Sequence, residues 1–282
     1  GEDSEFAALD VAMLLAKSYT AKVRILHISP QPSAYMMVYG EGIIENSHII
    51  ATIEKENREK LEKARQRVAS TASKHCLTLD EQSSFTDADK VNHVFAEFIH
   101  LTGSADDIIA AQGRVCDIVV IGRAIRESDT VYDPVVITAL FDTGRPVLLV
   151  PEGKTEIHYK TVSLAWDGGM EAARAVHNSL QFLKRAENVR LLTAREHGEL
   201  SDPEAEAGVM EYLKCHDIRA RGIIVAAGSR SIAEALLMRA KELETDLLVM
   251  GAYGHSRFRE MILGGVTNYM LENADIPLLL SH

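Results

Sequence analysis

The chain has 282 residues, of which 46% are hydrophobic and 25% are charged, and its net charge is −11. This composition is ordinary for a globular protein with room for two hydrophobic cores. The acidic balance argues against a nucleic-acid or anionic-membrane surface as the main partner.

The first half begins with a predicted strand in AKVRILHIS, from Ala21. A highly charged stretch follows within residues 30–76, and its mixed charges at helical spacing predict a long exposed helix. The continuous apolar runs of CDIVVIGRA, from Cys116, and GRPVLLVP, from Gly144, predict two further strands. Residues 151–160, PEGKTEIHYK, are the predicted connection to the second half.

The second half alternates strands and helices. TVSLAW, NVRLLTA, ARGIIVAA, DLLVM and IPLLL are predicted strands, and residues 170–186, 202–215 and 265–273 are predicted helices. A further helix is predicted after Ser229, which we expect to cap it. Such alternation predicts a parallel sheet with helices on both faces. Pro146 and Pro277 open the last strand of each half, so we expect these two strands to be edge strands able to pair with each other.

The two halves resemble each other in sequence. AKVRILHIS matches ENVRLLTA, TGSADDIIAA matches AGSRSIAEAL, and CDIVVIGRA matches TDLLVMGAY, in the same order. This order indicates a doubled domain, with residues 1–151 and 161–282 as the two copies and residues 152–160 as the linker. Aligning Val23 with Val189 places Gly1 on Asp167, so the first copy lacks its first strand. We expect that its true N-terminus has been lost, the alternative being a strand supplied from elsewhere.

Three cysteines, Cys76, Cys116 and Cys215, are odd in number and form no CxxC pair, so we expect buried free thiols. No apolar run reaches the roughly 18 residues of a membrane-spanning helix, and the first residues lack a signal-peptide pattern. We therefore predict a cytoplasmic location. The sequence indicates no catalytic set and no metal site.

Near the end of the chain, GAYGHSRFREMILGG places Gly251 at the close of a strand and Gly264 and Gly265 before a helix. In open parallel sheets, ligands bind beyond the carboxyl ends of strands where the strand order reverses. Asp167 closes another strand that would face the same crevice. A helix N-terminus suits phosphate, although glycines at these places also serve tight turns or close helix packing. The GxxxxGK[ST] and GxGxxG patterns are absent.

The spacing Gly-x2-Gly-x9-Gly in this segment resembles the adenine-nucleotide-binding motif of the universal stress protein family, which continues with Ser or Thr. VSLAWDGG and TDLLVMGAYGHS are similar to the first and fourth strands of that family. The resemblance covers residues 161–282 and, more weakly, residues 1–151, as in a tandem member. It implies two Rossmann-like (flavodoxin-like) domains, each a parallel five-stranded sheet in the order 3-2-1-4-5, that pair through their last strands.

The resemblance also implies that the second copy binds ATP or AMP, with or without Mg²⁺. The residues carried over as the nucleotide site lie at the ends of the strands and at the start of the last helix: Ala165, Trp166, Asp167, Thr193, Met250, Gly251, Tyr253, Gly254, Gly264, Gly265, Val266 and Thr267. Asp167 and Thr193 would hold the ribose and line the base pocket. The glycines and Thr267 would hold the phosphates.

Two departures from the family motif limit this prediction. Gly265 stands where the family has Ser or Thr, and losing one hydrogen bond to a charged group costs about 10- to 150-fold in affinity; Thr267 could compensate. In the first copy, Gly122 is followed by Arg123, and Arg126 and Glu127 occupy the region of the glycines. We expect the first copy to be a structural or regulatory half.

Three functions stay open from the sequence. The chain is a nucleotide-binding protein of the stress response, a nucleotide-independent interaction module, or at most a slow ATP hydrolase. It acts through pairing of its two domains or as a homodimer.

Overall fold

The structure is a computed structural model that describes residues 2–31, 38–39, 42–43, 47–80, 94–123, 134–195, 203–254 and 265–282. The chain divides into two compact units, one of residues Leu9–Gln112 and one of Gly1–Ala8 with Gly113–His282. Within the described part of the chain, no helix has both the length and the apolar character needed to cross a membrane.

The first unit is built on a parallel three-stranded sheet in the order β1-β5-β4. Its elements in chain order are α1 (Glu2–Tyr19) from Leu9 onward, β1 (Val23–Ser29), the two-residue strands β2 (Val38–Tyr39) and β3 (Gly42–Ile43), α2 (Ser47–Lys74), β4 (Thr78–Asp80), β5 (Phe95–Thr102) and α3 (Ala105–Gly113) up to Gln112. Helix α2 is the long charged helix predicted from the sequence. Its apolar stripe, which includes Val68 and Ala72, packs with Met13 and Phe98 in the core.

The second unit is built on a seven-stranded sheet in the order β10-β9-β8-β11-β12-β7-β6. Its elements are β6 (Val119–Arg123), α4 (Pro134–Asp142), β7 (Val147–Pro151), β8 (Thr161–Ala165), α5 (Met170–Asn178), α6 (Leu180–Leu183), β9 (Asn188–Arg195), α7 (Pro203–Cys215), β10 (Ala220–Ala226), α8 (Ile232–Glu242), β11 (Leu247–Gly251), α9 (Gly265–Asn273) and β12 (Leu278–Ser281).

Strand β8 lies inside this sheet because it pairs in parallel with both β9 and β11. Strands β10, β9, β8, β11 and β12 are parallel throughout, which confirms the order 3-2-1-4-5 for the second half. Helix α5 packs against β11 and β12, while α8 packs against β9 and β10. Coverage on both faces explains why β11 and β12 consist of continuous apolar residues.

The last strands of the two halves, β7 and β12, pair antiparallel, with Leu279 opposite Leu148. Both leucines are completely buried. The prolines before these strands contribute only their carbonyl groups: Pro146 accepts from Val119 N at 3.0 Å, and Pro277 accepts from Leu248 N at 3.0 Å. Proline is tolerated there because the start of a strand needs no N–H donor at that position.

The first half departs from the five-stranded order in one respect. Among the described residues, β1 pairs only with β5, and β6 pairs only with β7. In the second half the corresponding strands, β9 and β11, are joined by β8. The described strands of the first half therefore belong to two separate sheets.

Two predictions about helices in the second half need correction. The predicted helix over residues 170–186 is interrupted at Ser179, whose hydroxyl donates to the Val176 carbonyl at 2.9 Å. Helix α8 is capped by Ser231, which accepts from Glu234 N at 3.2 Å, and not by Ser229.

The cysteines are free, as expected, but they are not buried. Cys76 and Cys215 are exposed and Cys116 is half-buried. Cys215 is the last residue of α7, and Cys76 stands in the turn after α2 with φ of 54°. Both lie where a helix ends at the surface, a position that residue type alone does not report.

Replacing Leu148 by Ala should lower the free energy of unfolding by about 2–5 kcal/mol, because it leaves a cavity between β7 and β12. The matched control is Val115→Ala, at a side chain that is 70% exposed, which should change stability by less than about 0.5 kcal/mol. Urea denaturation followed by circular dichroism measures both. Equal effects of the two substitutions would contradict the burial of this strand pair.

Candidate functional site

The crevice that the glycine motif predicts lies between the carboxyl ends of β8 and β11. These strands are neighbours, with Met250 opposite Ala165. The strand order reverses between them, since β9 and β10 continue to one side of β8 and β12 lies beyond β11. Asp167 follows β8, and Gly251 ends β11. The structure therefore brings together residues 84 positions apart at the place where open parallel sheets bind ligands.

The turn after β8 presents an exposed carboxylate. Asp167 Oδ1 accepts a hydrogen bond from Gly169 N at 2.8 Å, and Gly168 between them adopts a φ of +80°. Trp166 is anchored through its backbone N, which donates to the Leu192 carbonyl at 2.9 Å. Its indole Nε1 is buried and has no hydrogen-bond partner among the described residues. The turn thus combines an exposed acceptor with a buried donor.

Thr193 and Met250 differ in what they offer to a ligand. Thr193 is half-buried on β9, the strand next to β8. Met250 is only 3% exposed. Its side chain belongs to the core, so only its backbone faces the crevice.

Gly251 is required by packing. A Cβ at this position would lie 2.6 Å from the backbone nitrogen of Ala172 and 2.8 Å from the carbonyl carbon of Glu171. Both atoms belong to the first turn of α5, and backbone atoms cannot move aside as a flexible side chain can. This glycine lets the end of β11 touch the start of α5, whereas the alternative that the sequence left open for it was a tight turn.

Tyr253 and Thr267 hold the turn after β11. Tyr253 has a φ of 60° and is 2% exposed, and its ring stacks on Phe141 at a centroid distance of 5.2 Å. Its backbone N donates to Thr267 Oγ1 at 3.1 Å. Thr267 is itself 3% exposed. By accepting this hydrogen bond, the Thr267 hydroxyl fixes the turn to the start of α9. A hydroxyl group can also donate one hydrogen bond.

The two remaining glycines of the motif have different surroundings. A Cβ on Gly254 would lie 2.8 Å from Oε2 of Glu171, whereas a Cβ on Gly265 would meet nothing within 4 Å. Gly265 is exposed and begins α9, followed by the half-buried Val266. Gly264 lies outside the described residues, as does all of the segment 255–264.

Glu171 is the residue that the sequence reasoning missed. It lies in the first turn of α5, four positions after Asp167. From the sequence, an acidic residue in the first turn of a helix is expected only to interact favourably with the helix dipole. Nothing in the local pattern says that its carboxylate reaches the second glycine of a motif more than 80 residues away.

In the first half, Arg123 takes a structural position. It ends β6, is 7% exposed, and its Nη1 donates to the carbonyls of Met270, at 3.1 Å, and Leu271 in the last turns of α9. Burial lowers its pKa to about 10, against the opposing effect of Asp275, so the guanidinium is still charged at neutral pH. Arg126 and Glu127 lie outside the described residues.

A cleft of about 320 Å³ lies elsewhere, in the first unit, at the carboxyl ends of β1 and β5. Ser29 and His100 line it and hydrogen-bond to each other at 2.9 Å, and Glu54 and Arg58 of α2 stand opposite. None of the predicted nucleotide residues lies in this cleft.

Comparison with known proteins identifies the second half. Residues 158–282 match the family model described as the universal stress protein family. This half of the chain is similar to the universal stress protein family. A universal stress protein of Synechocystis is 41% identical over 46 residues, a match that covers 16% of this chain and 16% of that relative.

One solved universal stress protein has a fold similar to that of the whole chain. The crystal structure of one from Archaeoglobus fulgidus is 17% identical with a TM-score of 0.66, and the match covers 99% of this chain and 94% of that one. Another, solved in complex with cAMP, is 25% identical with a TM-score of 0.35, over 44% of this chain and 97% of that one.

The different surroundings of the motif glycines lead to a stability test. Gly251→Ala should destabilise the fold by about 1–3 kcal/mol or more, because its Cβ meets backbone atoms of α5. Gly265→Ala, with open space around the new Cβ, should leave stability unchanged or raise it by up to about 1 kcal/mol. Urea denaturation of both variants measures the difference. Equal stabilities would show that β11 and α5 do not touch at Gly251.

Proposed function

We propose that the second half binds an adenine nucleotide, ATP or AMP, and that the protein acts through this binding in the stress response. The observation that carries the proposal is the placement of the motif. Gly254 follows β11, Gly265 begins α9, and Asp167 stands at the end of the adjacent strand β8. The described glycines of the motif and Asp167 thus lie near the point where the strand order reverses, which supports the proposal.

The chemistry of this crevice suits a phosphorylated nucleoside. The first turn of α9 has backbone N–H groups without partners inside the helix, and the positive end of the helix dipole favours an anion. The exposed carboxylate of Asp167 is an acceptor for ribose hydroxyls. The buried indole N–H of Trp166 is a donor that no described residue satisfies, and a polar ligand atom would remove that cost.

The missing hydroxyl at Gly265 lowers the affinity for nucleotide but does not abolish binding. Among the described residues, no atom lies within 4 Å of the Cβ position of Gly265, and this residue is exposed. The Thr267 hydroxyl accepts from Tyr253 N and keeps its own proton for donation. We infer that binding is weaker than in a member with Ser or Thr, by the strength of about one hydrogen bond.

The first half would serve as the partner of the nucleotide-binding half. Pairing of the two domains within one chain is supported by the antiparallel contact of β7 with β12. Arg123 supports it further by capping the C-terminal carbonyls of α9, the helix whose N-terminus would face the phosphates. One nucleotide site per chain follows. The cytoplasmic location and any homodimer stay predictions from the sequence.

A second candidate function is a nucleotide-independent interaction module. Two features favour it: Gly265 lacks the hydroxyl of the family motif, and the Glu171 carboxylate lies against Gly254. Co-purification of a nucleotide with the protein, detected by mass spectrometry of the released small molecules, would exclude this alternative.

Isothermal titration with AMP and ATP tests the proposal. Gly265→Ser should restore the missing hydroxyl and tighten binding by about tenfold or more, whereas Asp167→Ala should weaken it. The matched control is Gly208→Ser, on α7, where a Cβ also meets nothing within 4 Å; it should bind like the wild type. The absence of heat at millimolar nucleotide from both the wild type and Gly265→Ser would overturn the proposal.

A further inference from the structure

Glu171 brings a negative charge to the glycine motif. Its Oε2 atom lies 2.8 Å from the position that a Cβ on Gly254 would take and 3.5 Å from the corresponding position on Gly169. Oδ1 of Asp167 lies 3.1 Å from that same Gly169 position. Both carboxylates therefore lie within 3.5 Å of the same point beside Gly169, at the start of α5.

The Glu171 side chain is well held there. It is only 12% exposed, and its backbone lies in the close contact between α5 and Gly251. Among the described residues, Glu171 pairs with Arg174, which is 3.8 Å away and whose side chain is 52% exposed. A solvated partner at this distance compensates a charge only weakly. The negative charge of Glu171 therefore repels an anionic ligand group that binds beside Gly254.

We propose that Glu171 is a specificity-determining residue that selects ligands by phosphate charge. This inference rests on the proposed function, since it concerns the same site. Two like charges about 4 Å apart reduce affinity by about fivefold in water-like surroundings, and by more inside a protein. Metal-free ATP is disfavoured most, AMP less, and uncharged adenosine not at all. Mg²⁺ offsets the effect because it neutralises part of the phosphate charge.

The experiment compares four titrations on the full chain: adenosine, AMP, ATP with EDTA, and ATP with Mg²⁺. Glu171→Gln keeps the size of the side chain and removes the charge. It should tighten metal-free ATP by about fivefold or more, tighten AMP less, leave adenosine unchanged, and reduce the advantage that Mg²⁺ gives to ATP. Glu171→Asp keeps the charge and should retain the Mg²⁺ dependence. This second variant tests the proposal even if Glu171→Gln does not fold.

The matched control is Glu234→Gln. Glu234 is likewise an acidic residue in the first turn of a helix, α8, and likewise has an arginine near it, Arg230 at 3.6 Å. It lies outside the predicted nucleotide site, so all four titrations should match those of the wild type. A change equal to that of Glu171→Gln would overturn the proposal, because it would reflect net charge and not position.

The outcomes separate this inference from the proposed function. If no variant binds any of the four ligands, the proposed function fails and this inference fails with it. If the wild type binds nucleotide and Glu171→Gln binds ATP with the same affinity and the same Mg²⁺ dependence, only this inference is overturned. It is also overturned if adenosine tightens as much as ATP, since that indicates a steric effect.

Discussion

The contact between Gly251 and the first turn of α5 is the constraint on which the candidate site depends. At this position two backbone segments approach so closely that a single methyl group would meet Ala172 N at 2.6 Å. The contact brings the turn after β8 and the turn after β11 to the same crevice. It also determines where Glu171 lies, because the carbonyl carbon of that residue forms part of the contact. The contact between Gly251 and α5 thus determines both the geometry of the crevice and the position of its negative charge.

The glycines of one motif have three separate physical roles. Gly251 permits backbone packing, Gly254 leaves room for the Glu171 carboxylate, and Gly265 leaves open space at the start of α9. Only the last is the arrangement expected of an unobstructed phosphate cradle. A motif read by spacing treats its glycines alike, whereas their neighbours decide what each one does.

The two copies also differ in the residues that follow the matching glycines at the ends of β11 and β6. Where β11 ends in Gly251 and continues into Ala252 and Tyr253, β6 ends in Gly122 and Arg123. The guanidinium of Arg123 is buried and donates to the last carbonyls of α9. The position that Ala252 occupies in the second copy is taken in the first copy by an arginine that binds the end of α9. The cost of this contact is the burial of a charge, which is reflected in a pKa lowered to about 10.

The sequence by itself determined the elements of the second half, the order of its strands through the family resemblance, and the neighbouring positions of Asp167 and Gly251. Apolar runs, helical periodicity and glycine spacing are local patterns, and α9 at Gly265–Asn273 agrees with its prediction residue for residue. Only the tertiary structure decided that Cys76 and Cys215 are exposed and that Glu171 reaches Gly254. These features depend on distances between residues that are far apart in the chain or on the way a helix ends at the surface. Such distances follow from the packing of whole elements, which no local pattern reports.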